Sequence, residues 1–139
     1  MNETCPFCNT AESVSEKIYS YEFWNLFLHA KKKRDETRQA AGFLALRRHE
    51  PDVIDTTPEE WAEIGQIIGD AAHRLCSQIG VTYTNQEVAG FNRGADAGQT
   101  VPHAHIHIFP IAEEDPAELK GRAGMSAAFE ALHRERIKP

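Results

Sequence analysis

The chain has 139 residues, and 15 lysines and arginines against 21 aspartates and glutamates give it a formal net charge of −6. This length predicts a single domain over residues 1–139, and a content of 41% hydrophobic and 26% charged residues is typical of a globular protein. The acidic balance argues against a nucleic-acid partner, because neutralising phosphates needs a basic face. A small anionic ligand remains compatible with it, since the charge of a site is separate from the net charge.

The start of the chain predicts neither export nor membrane insertion. Its first residues are polar and lack the basic and apolar regions of a secretory signal, and no apolar run approaches the ~20 residues that span a bilayer. Three cysteines cannot all pair with one another. We therefore expect a protein of the reducing cytoplasm that has no membrane partner.

The first predicted elements are strands. After an N-terminal segment of residues 1–15 that carries two cysteines, the aromatic and branched residues of 17–30 predict one or two strands with a turn near Ser20. The all-polar residues 31–37 predict an exposed loop, and residues 42–48 predict a further short strand.

A long helix is predicted from Pro58 to about Gln78. Thr57 and Glu60 have the spacing of a capping box, Pro58 suits the first helical position, and Gly80 suits the end. Apolar residues recur every three or four positions and predict one face that covers a sheet: Trp61, Ile64, Ile68, Ala71, Leu75 and Ile79.

The second half of the chain predicts strands and then helices. Residues 81–91 contain β-compatible runs, residues 92–98 have the composition of a loop, and residues 101–109 alternate like a strand. Residues 111–139 predict a charged helical tail, which lies outside the motif region. This order predicts an α+β fold: an antiparallel sheet of about five strands with a long covering helix and short C-terminal helices.

Three histidines dominate the alternating strand. His103, His105 and His107 would share one face, because side chains alternate between the two faces of a strand, and the apolar residues between them would face the core. Such a face can be an ordinary polar surface, part of a metal site, or the nucleophilic centre of an enzyme that acts on a phosphoryl group.

The loop before this strand favours phosphate chemistry. Gly94 and Gly98 let the backbone come close to a ligand, and successive amides in such turns form anion-binding concavities. Asn92, Gln99 and Thr100 add neutral hydrogen-bond donors, which stabilise an anionic centre without protonating a neighbouring imidazole.

The loop and the histidine strand together resemble the signature of the histidine triad (HIT) superfamily. The resemblance is carried by Asn92, Gly94, residues 97–101 and the pattern His-x-His-x-His-Ile-Phe over 103–109. It extends in outline from residue 5 to residue 110. The sequence Gln-Thr-Val at 99–101 is similar to that of the dinucleoside polyphosphate hydrolases.

This resemblance implies a nucleotide hydrolase acting on a dinucleoside polyphosphate or a nucleoside phosphoramidate. His105 would attack the α-phosphorus to give a nucleotidyl-histidine that water hydrolyses, and His107 would contact phosphate oxygens or the leaving group. The resemblance also implies a homodimer and no organic cofactor. A nucleotidyl transferase and a nucleotide-binding regulatory protein are the alternatives. Further phosphate contacts are implied for Asn92, Gly98, Gln99 and Thr100.

The cysteine pair permits several interpretations on its own. Cys5 and Cys8 have the spacing of a redox dithiol, but only four residues precede Cys5, so the strand that such a motif follows has no room. The pair can also be two unconnected free thiols, or half of a tetrahedral zinc site. A zinc site would need two more ligands, for which five histidines are candidates. Those candidates are His29, His49, His73, His103 and His133.

The HIT resemblance selects among these ligands. In many bacterial relatives, an N-terminal cysteine pair, a histidine after the second core strand and the first triad histidine hold zinc, which implies a structural site of Cys5, Cys8, His49 and His103. A catalytic metal on the histidine strand is the competing interpretation.

The sequence departs from the family near its second strand. Many members end that strand with an acidic residue that holds the ribose hydroxyls, whereas this chain has Leu28, His29 and Ala30 there. The family's Pro-x-x-x-Gly-His passage is also replaced, by residues 35–42. The resemblance therefore leaves the ribose contacts unassigned.

Overall fold

The computed structural model describes residues 5–8 and 15–120. Its strands form one antiparallel sheet in the order β1-β2-β3-β5-β4, so β5 lies between β3 and the edge strand β4. This confirms the expected α+β class. The strands are β1 Glu16–Ser20, β2 Trp24–Leu28, β3 Gly42–Leu46, β4 Tyr83–Gly90 and β5 His105–Ala112.

The helix α2, Pro58–Ile79, covers one face of the sheet, as predicted. Thr57 and Glu60 form the capping box, and Gly80 ends the helix with a φ of 74°, a conformation that favours glycine. In the described part of the chain, no helix combines the length and the apolar character needed to cross a bilayer. Trp61 differs from the expected pattern because it is exposed and contacts Phe91 instead of the sheet.

The two faces of the sheet have different chemistry. The face under α2 is mainly aliphatic apart from Trp24, and its residues from the three central strands are buried in the main core with Leu75 of α2. The opposite face carries Phe27, Phe43 and Ala45, with the triad histidines beside them. The alternation along β5 therefore separates core from histidines as the sequence predicts.

Two local predictions are wrong. Residues 31–37 are not a plain loop: Lys31–Glu36 forms a short helix, α1, stabilised by a Lys31–Asp35 ion pair of 2.9 Å one turn apart. The histidine strand begins at His105 and not at residue 101, because residues 101–104 turn instead, with the His103 N–H donating to the Val101 carbonyl.

Two further expectations concern packing and the C-terminus. Cys76, expected to be half-buried on α2, is completely buried in the core. Of the predicted C-terminal helices, the described residues contain only the 3-10 turn Ala117–Leu119, and residues 121–139, which include His133, lie outside them.

Candidate functional site

Four side chains meet beside the start of β5, and we call them the Cys/His cluster: Cys5, Cys8, His49 and His103. The Cys8 Sγ lies 3.2 Å from the His49 Nδ1 and 3.5 Å from the His103 Nδ1. The Cys5 Sγ lies 3.3 Å from the same His103 atom. The four ligand atoms all lie within 4.8 Å of one another, close enough to bind one metal ion.

The donor set of this cluster fits a tetrahedral metal centre. With bonds of about 2.3 Å to sulfur and about 2.0–2.1 Å to nitrogen, ligand atoms around zinc lie roughly 3.3–3.8 Å apart. The Nδ1 atoms of His49 and His103 are 3.1 Å apart. The His103 Nε2–H donates to the Leu46 carbonyl at 2.6 Å, so its Nδ1 carries a lone pair. Two imidazole nitrogens facing each other at this distance need a cation or a proton between them.

The thiols of the cluster support the same interpretation. Burial raises the pKa of the Cys5 thiol above its ordinary value, so Cys5 stays protonated near neutral pH unless a metal ion replaces the proton. The third cysteine takes no part, since Cys76 lies in the core, where burial raises its pKa to about 11.

His105 lies next to this cluster but has a different arrangement of partners. Its Nδ1–H donates to the His103 carbonyl at 2.7 Å, so the Nε2 carries the lone pair, and no described residue makes a hydrogen bond to it. Burial lowers the pKa of His105 below its ordinary value, so the ring is neutral at pH 7. A neutral, oriented imidazole with one free nitrogen has the properties of a nucleophile.

Aromatic rings hold His105 on three sides. The ring of Phe7 lies 4.9 Å from it in an edge-on contact, Phe43 lies 6.0 Å away, and His107 lies 5.0 Å away at a right angle. Phe7 stands between Cys5 and Cys8, so the segment that supplies both thiols also touches His105. The sequence analysis missed this contact, although the position of Phe7 between two candidate ligands was a usable signal.

In the glycine loop, residues 92–100, side-chain amides form hydrogen bonds to the backbone of the same loop. Gly94 and Gly98 have φ values of 87° and 103°, which only glycine adopts without strain. The Asn92 Nδ2–H donates to the Ala97 carbonyl at 2.7 Å. The Gln99 side chain accepts from the Gly94 N–H at 2.9 Å. Both amides therefore bond to backbone here, whereas Thr100 is exposed.

One short segment, residues 49–52, connects the glycine loop to the Cys/His cluster. His49 belongs to the cluster, and the Glu50 carbonyl accepts from the Ala104 N–H at 2.6 Å. The Pro51 carbonyl accepts from the Gln99 Nε2 at 2.8 Å. The Asp52 carboxylate pairs with the Arg93 guanidinium through two contacts of 2.8 and 2.9 Å. Four consecutive residues thus tie the cluster, the loop and β5 together.

A second pair of imidazoles flanks Phe43. His29 follows β2 and its ring lies 5.0 Å from that of Phe43, while His107 pairs with Phe43 across β3 and β5. The sequence analysis noted His29 only as a departure from the family and as one of five candidate metal ligands. It is not in the Cys/His cluster, and neither is the exposed His73 on α2.

Comparisons with known proteins agree with this geometry. The model of the HIT domain family matches residues 34–114, which is more than half of the chain. The bis(5′-nucleosyl)-tetraphosphatase (asymmetrical) of Schizosaccharomyces pombe is 32% identical over 72 residues, which are 52% of this chain and 38% of that protein. The chain thus spans well under half of the length of the curated relative that it matches.

Solved structures show the same fold. A HIT family protein of Bacillus anthracis is similar over 99% of this chain and 100% of its own, with a TM-score of 0.61 and 19% identity. A histidine triad nucleotide-binding protein of Sulfolobus tokodaii gives a TM-score of 0.63 at 20% identity, over 96% of this chain and 91% of its own. The NitFhit protein of C. elegans is 28% identical, with a TM-score of 0.56, over 88% of this chain and 27% of its own. The chain, with its five-stranded sheet and its histidine strand, therefore belongs to the HIT domain family.

Proposed function

We propose that this chain hydrolyses a nucleotide at its α-phosphate, with a dinucleoside polyphosphate or a nucleoside phosphoramidate as substrate and His105 as the nucleophile. The observation that carries the proposal is the hydrogen bond from the His105 Nδ1 to the His103 carbonyl. It fixes the tautomer and aims the Nε2 lone pair away from the strand. The tetraphosphatase relative supports the dinucleoside polyphosphate class.

The reaction has two displacements at one phosphorus. In the first, the Nε2 lone pair of His105 forms a bond to the α-phosphorus, and the bond from phosphorus to the leaving oxygen or nitrogen breaks, with the electron pair going to the leaving group. In the second, a water oxygen bonds to phosphorus, the P–N bond breaks and returns its electron pair to the imidazole, and the water proton passes to solvent. The first step needs a neutral His105, which agrees with the lowered pKa of that ring, and the second step restores the neutral ring when the P–N bond breaks.

The neighbouring residues have supporting roles in this proposal. His107 contacts phosphate oxygens or the leaving group, since its ring lies 5.0 Å from that of His105. Gly98 lets the loop approach the phosphate, and Thr100 offers an exposed hydroxyl. The amides of Asn92 and Gln99 contribute by holding the loop in shape, and they reach phosphate oxygens by exchanging their backbone partners.

The decisive experiment compares wild type with His105→Ala on a panel of dinucleoside polyphosphates and adenylyl phosphoramidates. His73→Ala is the matched control, because His73 is an exposed histidine on α2. Wild type and the control should turn over at least one substrate, and His105→Ala none. Equal turnover by wild type and His105→Ala would refute the assignment of the nucleophile.

The same panel separates the alternatives when acceptors are added. Faster transfer of the nucleotide to phosphate or a sugar phosphate than to water would identify a transferase. Tight binding of every nucleotide without turnover would identify a regulatory protein. A catalytic metal would be identified if chelation abolished turnover while the protein remained folded.

For the Cys/His cluster we propose a structural zinc ion held by Cys5, Cys8, His49 and His103. Two thiolates and two imidazoles at these separations suit tetrahedral zinc, and the bound ion would fix the N-terminal segment and the start of β5. A thiolate site needs reduced cysteines, which supports the cytoplasm as the compartment. Elemental analysis should give one zinc per chain in wild type and none in Cys8→Ser or His49→Ala.

We also propose a homodimer built on the β4 side of the sheet. β4 is an edge strand of the described sheet, and Trp61 and Phe91 next to it pack on each other while remaining 45% and 43% exposed. Light scattering should give twice the chain mass for wild type, and Phe91→Asp should shift it towards the mass of one chain. A monomeric wild type would contradict the dimer.

A further inference from the structure

We propose that His29 and His107 form a binding site for a second phosphate group of the substrate, beside the phosphate that His105 attacks. This inference rests on the proposed nucleotide chemistry and narrows it to nucleotides with more than one phosphate in reach of the site. It assigns a role to His29, a residue outside the triad pattern.

The first observation is the placement of the two rings. β3 lies between β2 and β5, and Phe43 of β3 packs against His29 on one side and pairs with His107 on the other. His107 in turn contacts His105 at 5.0 Å between ring centroids. His29 and His107 therefore lie on the face of the sheet that carries the proposed nucleophile.

The second observation is that both rings have a buried nitrogen without a partner. The Nε2 of His29 and the Nδ1 of His107 make no hydrogen bond to any described residue. Buried polar atoms in folded proteins are nearly always paired, with protein or with a ligand or water. Both residues are partly exposed while the two nitrogens themselves are covered, so a ligand that bonds to them must displace the atoms that cover them. Two such nitrogens on one face identify a place where a bound molecule supplies the missing partners.

The third observation is the sign of the charge around them. Burial lowers the pKa of His29 to about 3, and the positive charges of Lys33 and Arg34 act in the same direction. Burial lowers the pKa of His107 to about 3 as well, and the positive charge of Lys33 again contributes. Among the described residues, no carboxylate contributes to either shift. A ligand at this place therefore meets hydrogen-bond donors in a positive field.

These observations select the chemistry of the ligand. A carboxylate accepts hydrogen bonds from sugar hydroxyls, whereas an imidazole N–H near a lysine donates to an oxyanion. Dinucleotide-binding sites differ in the same way: an acidic side chain holds a ribose hydroxyl, whereas a cationic side chain accommodates a ribose phosphate. Two unpartnered imidazole nitrogens beside Lys33, with no carboxylate contributing at this place among the described residues, suit a phosphate as the group held here. It comes either from the ribose or from a position further along the polyphosphate chain.

The test is a calorimetric titration at pH 7 with three probes in adenosine and guanosine forms: the 5′-monophosphate, the 3′,5′-bisphosphate and the 5′-diphosphate. Wild type should bind one of the two latter probes about tenfold more tightly than the monophosphate. The bisphosphate identifies a ribose phosphate as the source, and the diphosphate identifies the chain. His29→Ala should abolish this preference and leave monophosphate binding within about twofold.

A second substitution makes the test sharper. His29→Asp should reverse the preference, so that the monophosphate binds more tightly than either probe with two phosphates. His73→Ala serves as the control, and thermal unfolding of every variant shows whether it is folded. The inference is overturned if wild type shows no preference, or if His29→Ala keeps it.

Failure of the function and failure of this site give different results. Binding of these probes does not need turnover, so a preference that depends on His29 in a protein without hydrolase activity would reject the function and keep the site. Hydrolysis that depends on His105, with no effect of His29→Ala on probe affinities, would reject the site and keep the function.

Discussion

His103 lies two residues before His105, the first residue of β5, yet the structure prepares the two rings for different chemistry. The Nε2–H of His103 donates to the Leu46 carbonyl, so its Nδ1 faces the Cys/His cluster. The Nδ1–H of His105 donates to the carbonyl of His103 itself, so its Nε2 is left for the substrate. The carbonyl that each ring reaches decides which nitrogen keeps the lone pair, and this decides whether the ring can ligate or attack.

The surroundings of the two rings reinforce this division. His103 is completely inaccessible among thiols and His49, as expected of a structural ligand. His105 is 8% exposed and lies against Phe7 and His107. Only a small part of its ring reaches solvent, which suits a group that must stay neutral and admit one reacting atom.

Replacing each histidine by alanine should show the difference between their roles most clearly. His105→Ala is expected to lower kcat/KM by roughly 10⁴-fold or more while metal content and thermal midpoint stay near wild type, because only the attacking nitrogen is lost. His103→Ala should instead lose bound metal and fall in stability. Kinetics and elemental analysis of both variants check this, and a loss of metal from His105→Ala would contradict it.

Metal removal should have the next largest effect, and it should act on stability before chemistry. Structural zinc in small domains is worth on the order of 10 kcal/mol, so stripping it with a chelator should lower the free energy of unfolding by several kcal/mol. Cys8→Ser should reproduce this loss. Cys76→Ala is the matched thiol control and should keep its metal. Denaturant unfolding with and without chelator gives the answer, and a chelated protein as stable as the untreated one would show that the cluster is not a structural site.

Phe7 offers a test of how far the two histidines act independently. Its ring contacts that of His103 at 5.7 Å and that of His105 at 4.9 Å. Phe7→Ala should lower kcat by about 10-fold to 100-fold, because a nucleophile displaced by about an ångström loses rates of this order. Phe7→Leu should recover part of the loss. Metal content measured alongside the kinetics should be unchanged, and a kcat equal to that of wild type would show that Phe7 does not position His105.

How much of this arrangement the sequence predicts depends on the kind of signal. The capping box at Thr57 and the alternation along the histidine strand are local patterns, and the structure confirms both. The partner of the His103 ring was not predictable, because the Leu46 carbonyl comes from another strand. The helix at Lys31–Glu36 was missed because its six residues are all polar and carry no apolar period.

His29 was hard to interpret for a related reason. Its position at the end of β2 could be read from the sequence, but its neighbours Phe43 and His107 belong to other strands. Only the sheet order shows that an apparent departure from the family lies within reach of the triad. Pairings between distant strands are set by tertiary packing, which local patterns do not encode.

Lowering the pH should reduce the free energy of unfolding through His29 more than it would through a histidine with an unperturbed pKa. The pKa of His29 is about 3 in the folded protein against about 6.5 in the unfolded chain. Its stabilising contribution is therefore complete above pH 6.5 and is lost as the pH falls towards 3. His29→Gln should flatten the decline in the free energy of unfolding below pH 6.5 by up to about 1.4 kcal/mol per pH unit. Urea unfolding from pH 4 to pH 7 measures this, and parallel curves would mean that His29 is not neutral in the native state.

The segment 49–52 has a consequence for how this protein can diverge. Its residues bind, in succession, the cluster, β5 and both ends of the glycine loop. Inserting or deleting one residue there would shift every one of these partners by one position, so the length of this connection is fixed. The side chain of Ile54, two residues later, is 64% exposed and can vary, although its backbone N–H donates to the Asp52 carboxylate. New substrate preferences should therefore evolve through side chains around the site, and not through changes in the length of this connection.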